Sequence, residues 1–239
     1  MDPTKSGFTG GQKCVSQPKG QIIISLKNKM VRTTRKATRK IHYDFIEVGT
    51  SDFNTLIQKA TSKTVGLSVE PLEEYLNRLP VKPRVKKINA ALSKHSGSID
   101  LYYVPDAVRK DNNLPGWMKG TNSVGSPHPT VVRYLEKHGL PKTLLHHKKV
   151  PVLSVSRLFR EYRVGSLDYL KIDTEGHDVV IVNAYLDLAE KDRSLLAHKI
   201  LFESNTLSDK DAVSHLRDRL ASLGYIVETK RQDTVATLE

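Results

Sequence analysis

A single cysteine, Cys14, stands in 239 residues, so no disulfide can form within the chain. That fits a reducing compartment and a cytoplasmic location. Long apolar runs are missing as well. No stretch approaches the roughly 18 residues a membrane-spanning helix requires. The longest apolar segment near the start is Ile22-Ile23-Ile24, so a secretory leader is not expected. Acidic residues are nearly absent from the first 40 positions, where Asp2 alone faces ten lysines and arginines. Two phosphate-binding signatures are also lacking. Gly49 is followed by Thr50, Ser51, Asp52 and Phe53, which breaks the G-x-G-x-x-G pattern, and no glycine-rich loop ends in Lys followed by Ser or Thr.

What is present is an ordinary apolar fraction of 38%, a charged fraction of 27% and a net charge of +12. This is enough for one α/β domain with a real core. Most of the excess charge belongs to residues 1–40, a basic arm with a short accessory strand expected at 21–26 and a basic linker or helix after it. Such an arm is either a solvated tail or a contact for nucleic acid, anionic lipid or an acidic partner. The remainder, 41–239, is close to neutral and reads as one domain.

Apolar strands are expected at 43–48, 65–69, 84–89, 98–104, 167–172 and 199–202, with helices at 54–62, 71–78, 177–191 and 209–223. Segment 150–155 leads into another helix that runs to about 162. Ser208 is the expected cap of the last long helix and Gly224 its stop. Strands at 225–229 and 234–238 form a closing hairpin. Strands alternating with helices imply a mostly parallel sheet covered on both faces, here seven-stranded with an antiparallel edge made by that hairpin. Segment 105–149, rich in Gly, Pro, Asn and His, is too long for a simple connection. His146-His147-Lys148-Lys149 within it reads as an exposed charged turn.

The residues that can carry chemistry sit where strands end, since ligands of open α/β sheets bind outside the carboxyl ends of strands. The first strand ends in Glu47-Val48-Gly49-Thr50-Ser51-Asp52-Phe53. Its glycine permits close approach, while Glu47 and Asp52 would repel a pyrophosphate and welcome a positive sulfonium. Glu70 ends the second strand about 20 residues later, the position that accepts hydrogen bonds from ribose hydroxyls in dinucleotide folds. Pro71 and Leu72 would then wall an adenine, with Asn89 and Ala90 at the next strand end. The densest signal is Leu170-Lys171-Ile172-Asp173-Thr174-Glu175-Gly176-His177-Asp178, an apolar strand running straight into carboxylates.

Phe45–Gly49, Val69–Glu70, Asn89–Ser93, the 170–178 stretch and Ile200–Asn205 together resemble the FkbM-type methyltransferases over about 41–230. The resemblance implies a class I, Rossmann-like sandwich, S-adenosylmethionine as methyl donor, and O-methylation of a hydroxyl, often on a sugar or glycosylated product. Glu47 replaces the usual loop Asp, and Phe53 stands where a last Gly is usual. Asp173 is expected at the reacting centre. His177 is either a general base, with an unperturbed pKa of about 6.5, or a helix-start surface residue. Glu175 either joins the centre or caps the helix. Asp173, Glu203 and Asn205 form a candidate oxygen set for magnesium or manganese. In the 105–149 insertion, Trp117, Ser123 and His128 are candidates for holding a sugar or glycan acceptor, unless Trp117 fills a local core. Two other functions remain open. One is an RNA ribose methyltransferase, motivated by the arm, although the near-neutral domain lacks an aromatic and cationic stripe. The other is a non-catalytic interaction module.

Overall fold

The computed structural model describes residues 39–238. The strand at 21–26 and nearly all of the basic arm lie outside them. The main sheet has seven strands, ordered β10-β11-β9-β8-β1-β2-β3. They are β1 (Ile41–Val48), β2 (Gly66–Val69), β3 (Val85–Ile88), β8 (Val164–Ile172), β9 (Lys199–Glu203), β10 (Tyr225–Lys230) and β11 (Asp233–Leu238). Neighbours from β3 to β9 pair in parallel. The closing hairpin lies at one edge of the sheet, with β11 between β9 and β10 and antiparallel to both. β10 is therefore the outermost strand, and β11 is the one strand of reversed direction. The mostly parallel α/β sheet fits a Rossmann-like methyltransferase.

A second, four-stranded sheet was not foreseen. It orders β4 (Ala91–Ser93), β7 (His146–Ser154), β5 (Gly97–Tyr103) and β6 (Ser123–Val124). Segments 98–104 and 150–155 belong to it and not to the main sheet. The His146–Lys149 stretch is strand and not turn, because it pairs residue for residue with 100–103 of β5. Its histidines lie against aromatic partners, with the His147 and Tyr102 rings 5.6 Å apart and stacked.

Both faces of the main sheet are covered. Helices α5 (Val155–Glu161), α6 (Asp178–Ala189) and α7 (Lys210–Ser222) close one face around Ile46, Leu170, Ile172, Tyr185 and Phe202. Phe45, Ile57, Leu76 and Leu79 close the other, beneath α1 (Leu56–Lys59) and α2 (Glu73–Arg78). α1 is one turn, shorter than the expected 54–62, since Asn54 takes a left-handed φ of 52° just before it and the chain leaves helical geometry at Ala60. The 105–149 insertion folds around a small core of Val104, Leu114, Met118, Val131 and Leu135. It carries α3 (Asp106–Asp111) and α4 (Pro129–Lys137). Among the described residues, no helix is long and apolar enough to cross a membrane.

The register aligns the last apolar residues of five strands in one row, Ile88, Val69, Val48, Ile172 and Phe202. All five are buried. The next residue on each strand is polar or glycine: Asn89, Glu70, Gly49, Asp173 and Glu203. Neighbouring strands lie about 4.8 Å apart, so Glu70 and Asp173 flank Gly49 at roughly 10 Å from one another. Gly49 has a φ of +75°, and a Cβ there would meet the Asp173 carbonyl oxygen. Gly49→Ala combines a left-handed strain with a backbone clash, and is expected to cost roughly 2–4 kcal/mol in urea unfolding. Wild-type stability in this variant would show that the tight approach is dispensable.

Candidate active site

A cavity of about 260 Å³ opens at this edge of the sheet. One side is formed by Gly49, Thr50, Ser51 and Phe53 with Glu70 and Pro71. The opposite side carries Lys171, Asp173, Glu175, His177 and Glu203, and an apolar wall comes from Ala91, Leu92, Leu101 and Val124. Thus the second sheet, invisible in the sequence, supplies the greasy face of the site.

Glu70 is 2% exposed. One oxygen accepts the Ser51 N–H at 2.7 Å and the other the Leu72 N–H at 2.8 Å. Each oxygen keeps lone-pair capacity for a further donor. Burial is the main reason its carboxyl rises to about 7, against the pull of those backbone bonds.

On the other side, Asp173 is exposed and opens to the cavity. Burial chiefly lifts its carboxyl to about 6; Lys171 opposes the shift, and Asp178 and Glu175 add to it. Glu203 rises further, to about 8, through burial and then the nearby Glu175, Asp173 and Asp178. Its Oε2 is buried without a hydrogen-bond partner among the described residues. Carboxylate oxygens of Asp173, Glu175 and Glu203 lie within 4.8 Å of one another. Glu175 joins the two expected carboxylates there, while the Asn205 side chain lies beside Glu203 and its oxygen accepts the Leu207 N–H at 2.8 Å.

Two buried groups hold this side in shape. Asp178, fully buried, accepts from the Thr174 hydroxyl at 2.8 Å, the Thr174 N–H at 3.2 Å and the Glu203 N–H at 3.1 Å. It therefore ties the ends of β8 and β9 together, a role unassigned in the sequence. His177 shares a 2.9 Å hydrogen bond with Ser93. Burial lowers its pKa, so the ring is neutral at physiological pH. Glu175 has a φ of 51°, and its Oε2 is 3.2 Å from His128 Nε2. His128 Nδ1 accepts the Thr130 N–H at the start of α4, which leaves Nε2 as the proton-bearing nitrogen and donor to Glu175.

Several expected contacts fall elsewhere. Glu47 is fully buried outside the cavity lining. It binds Lys171 Nζ at 2.9 Å and caps α1 through the Leu56 N–H at 2.8 Å. Asp52 also lies off the lining, paired with Arg78 at 2.9 Å and with Lys119. The two acids thought to select a sulfonium are therefore neutralised internally; the carboxyl groups that face the cavity are Glu70, Asp173, Glu175 and Glu203. Leu72 is buried among Tyr75, Leu101 and Val152, Ala90 is in the main core, and the Asn89 amide donates to the Glu70 and Pro71 carbonyls at 3.0 Å each.

None of the three acceptor candidates lines the cavity. Ser123 is buried and donates to the Ser126 carbonyl at 2.7 Å, while Val124, one residue on and on the opposite strand face, does line it. His128 serves the Glu175 contact. Trp117 is 43% exposed and edge-on to Tyr134 at 5.9 Å, so it does not fill a local core.

Raised carboxyls make stability depend on pH with a definite sign. Glu70, Asp173 and Glu203 hold protons that an unfolded chain releases near pH 4. The folded state thus binds more protons between about pH 4 and 8, and stability falls as pH climbs through that window. The expected Tm is lower at pH 8 than at pH 5.5. Glu203→Gln should melt above wild type at pH 8, with the difference closing towards pH 5; a gap independent of pH would refute the assignment.

No curated protein matches the chain at a significant level. The methyltransferase FkbM domain family matches residues 43–227, a span that begins in β1, ends in β10 and contains the whole cavity lining. The chain belongs to the FkbM methyltransferase family.

Proposed function

We propose that the chain is an S-adenosylmethionine-dependent O-methyltransferase acting on a hydroxyl of a sugar or glycoconjugate. The observation that carries this reading is the pairing across Gly49 of a buried, doubly anchored Glu70 with the Asp173–Glu175–Glu203 cluster, around a cavity with one apolar wall. The residues fit the methyl donor. Glu70 is placed to accept both ribose hydroxyls, and Pro71, Ala91, Leu101 and Val124 offer an apolar slot for an adenine. The carboxylate side favours a cationic centre.

S-adenosylmethionine, when bound, supplies an activated methyl group. The chain's own part is to position the acceptor and take its proton. Asp173, with a carboxyl near 6, is ionised enough at pH 7 to accept a proton and basic enough to be useful. His177 is less suited, since one ring nitrogen is engaged by Ser93 and its basicity is lowered. Phe53, 49% exposed at the cavity edge with Lys119 over its ring, offers an aromatic face to a sugar ring.

Glu70→Ala should weaken S-adenosylmethionine binding about ten- to several-hundredfold in calorimetry, as expected for losing hydrogen bonds to a buried carboxylate; unchanged affinity removes Glu70 from the ribose role. Asp173→Asn should lower turnover about 10²- to 10⁴-fold while leaving cofactor affinity within roughly threefold. Wild-type turnover there eliminates Asp173 as the proton acceptor. Mass spectrometry of methyl transfer onto a panel of sugars and glycans, with and without chelator, tests the acceptor class. Activity lost to chelator and restored by magnesium would assign the three carboxylates to a cation instead. Absence of S-adenosylmethionine binding would favour the non-catalytic module.

A further inference from the structure

The opposite end of the main sheet carries a second concavity, a groove of about 630 Å³ at the amino ends of β1, β2 and β8. Five cationic side chains line it: Arg39, Lys40, Lys63, Arg84 and Arg163. Among the described residues Asp44 is the single carboxylate in the lining, and it is occupied, accepting the Val65 N–H at 2.6 Å. Lys40 pairs with Asp192 at 2.7 Å. Among the described residues, Arg39, Lys63, Arg84 and Arg163 form no ion pair.

Four unpaired cations converging on one concave surface repel one another, and an anion relieves that repulsion. Residues 1–40 hold ten lysines and arginines against Asp2, so the sequence leading into the groove adds positive charge and favours an anion from another molecule.

We infer that this groove binds the phosphodiester backbone of a nucleic acid, without reading its sequence. Three arginines present planar guanidinium forks that match phosphate oxygens. The surface is concave and polar, whereas a membrane contact wants an exposed apolar or aromatic face. Among the described residues no Phe, Tyr or Trp lines the groove, and its one imidazole, His42, is hydrogen-bonded to Ser166 and Asp168, so bases lack a stacking platform and recognition rests on the backbone. The eight-residue strand β1 separates the groove from the cavity by about 23 Å. A phosphate held here is therefore not next to the methyl acceptor, and the groove anchors the protein while the cavity stays open. This inference stands on the groove alone and does not depend on the acceptor class.

The test uses the full chain and a fluorescent 20-nucleotide oligouridylate, with anisotropy read at 50 and 200 mM salt. Wild type should bind, and should weaken steeply with salt. Lys63→Gln, Arg84→Gln and Arg163→Gln combined should weaken binding at least tenfold at 50 mM salt. The log–log salt slope should become shallower by about 2, as three fewer phosphate contacts on a single strand require. If the triple variant does not fold by thermal melting, the exposed Lys63→Glu alone should weaken binding about threefold or more. Binding unchanged in the folded variant would assign all affinity to the arm and overturn the proposal. So would wild type that ignores the oligonucleotide, including one that binds only vesicles containing phosphatidylserine.

Discussion

At the carboxyl edge of the sheet, β1 and β8 end side by side, and the backbone of Gly49 lies so close to the Asp173 carbonyl that no side chain fits between them. The hydrogen-bond ladder continues one residue beyond the apolar row, with Gly49 N–H to Val69, Asp173 N–H to Val48 and Glu70 N–H to Ile88, each at 3.0 Å. Two carboxylates are thereby held on either side of a residue that has nothing to put in the gap. The cavity is the direct result. Widening that contact would move the floor of the site and both of its charged walls together.

Charge at this edge divides into two kinds. Glu47 and Asp52 are matched by Lys171, Arg78 and Lys119, so they tie the end of β1 and its loop to β8, to α2 and to the insertion. Glu70, Asp173 and Glu203 are insufficiently matched, and burial forces their carboxyls towards neutrality. Such groups are kept at a cost in folding stability, and perturbed carboxyls gathered in a cleft are what acid–base chemistry needs. Asp178 belongs to neither kind: its three bonds keep β8 and β9 in position beneath the cluster.

Strand ends were legible in the sequence because each core strand stops abruptly at a polar residue or glycine, and that local signal survives folding. Glu70, Gly49 and Asp173 were found in this way. What escaped was whatever depended on partners far along the chain. Glu47 looked like a ligand contact until Lys171, one strand away in space, was seen to neutralise it. Of the expected pair Pro71 and Leu72 only Pro71 lines the cavity, and Ala91 lines it in place of Ala90, since which of two neighbours faces the cavity depends on packing. The second sheet was missed altogether: its short strands carry charged residues such as His146–Lys149, whose pairing with Asp100–Tyr103 no local pattern announces. The closing hairpin was legible, but which of its strands lies outermost was not, since hairpin chemistry fixes a neighbour and not an order.

The two ends of β1 thus carry opposite electrostatic character, an acidic cavity at Val48 and a cationic groove at Ile41, on one continuous strand. We propose the cavity across Gly49 as the cofactor site. A crystal structure with S-adenosylhomocysteine tests it most directly. Both ribose hydroxyls should lie within hydrogen-bond distance of Glu70, with the sulfur directed to the Asp173 side and the base against Ala91, Leu101 and Val124. A ligand bound elsewhere, or one whose ribose leaves Glu70 untouched, would contradict the account.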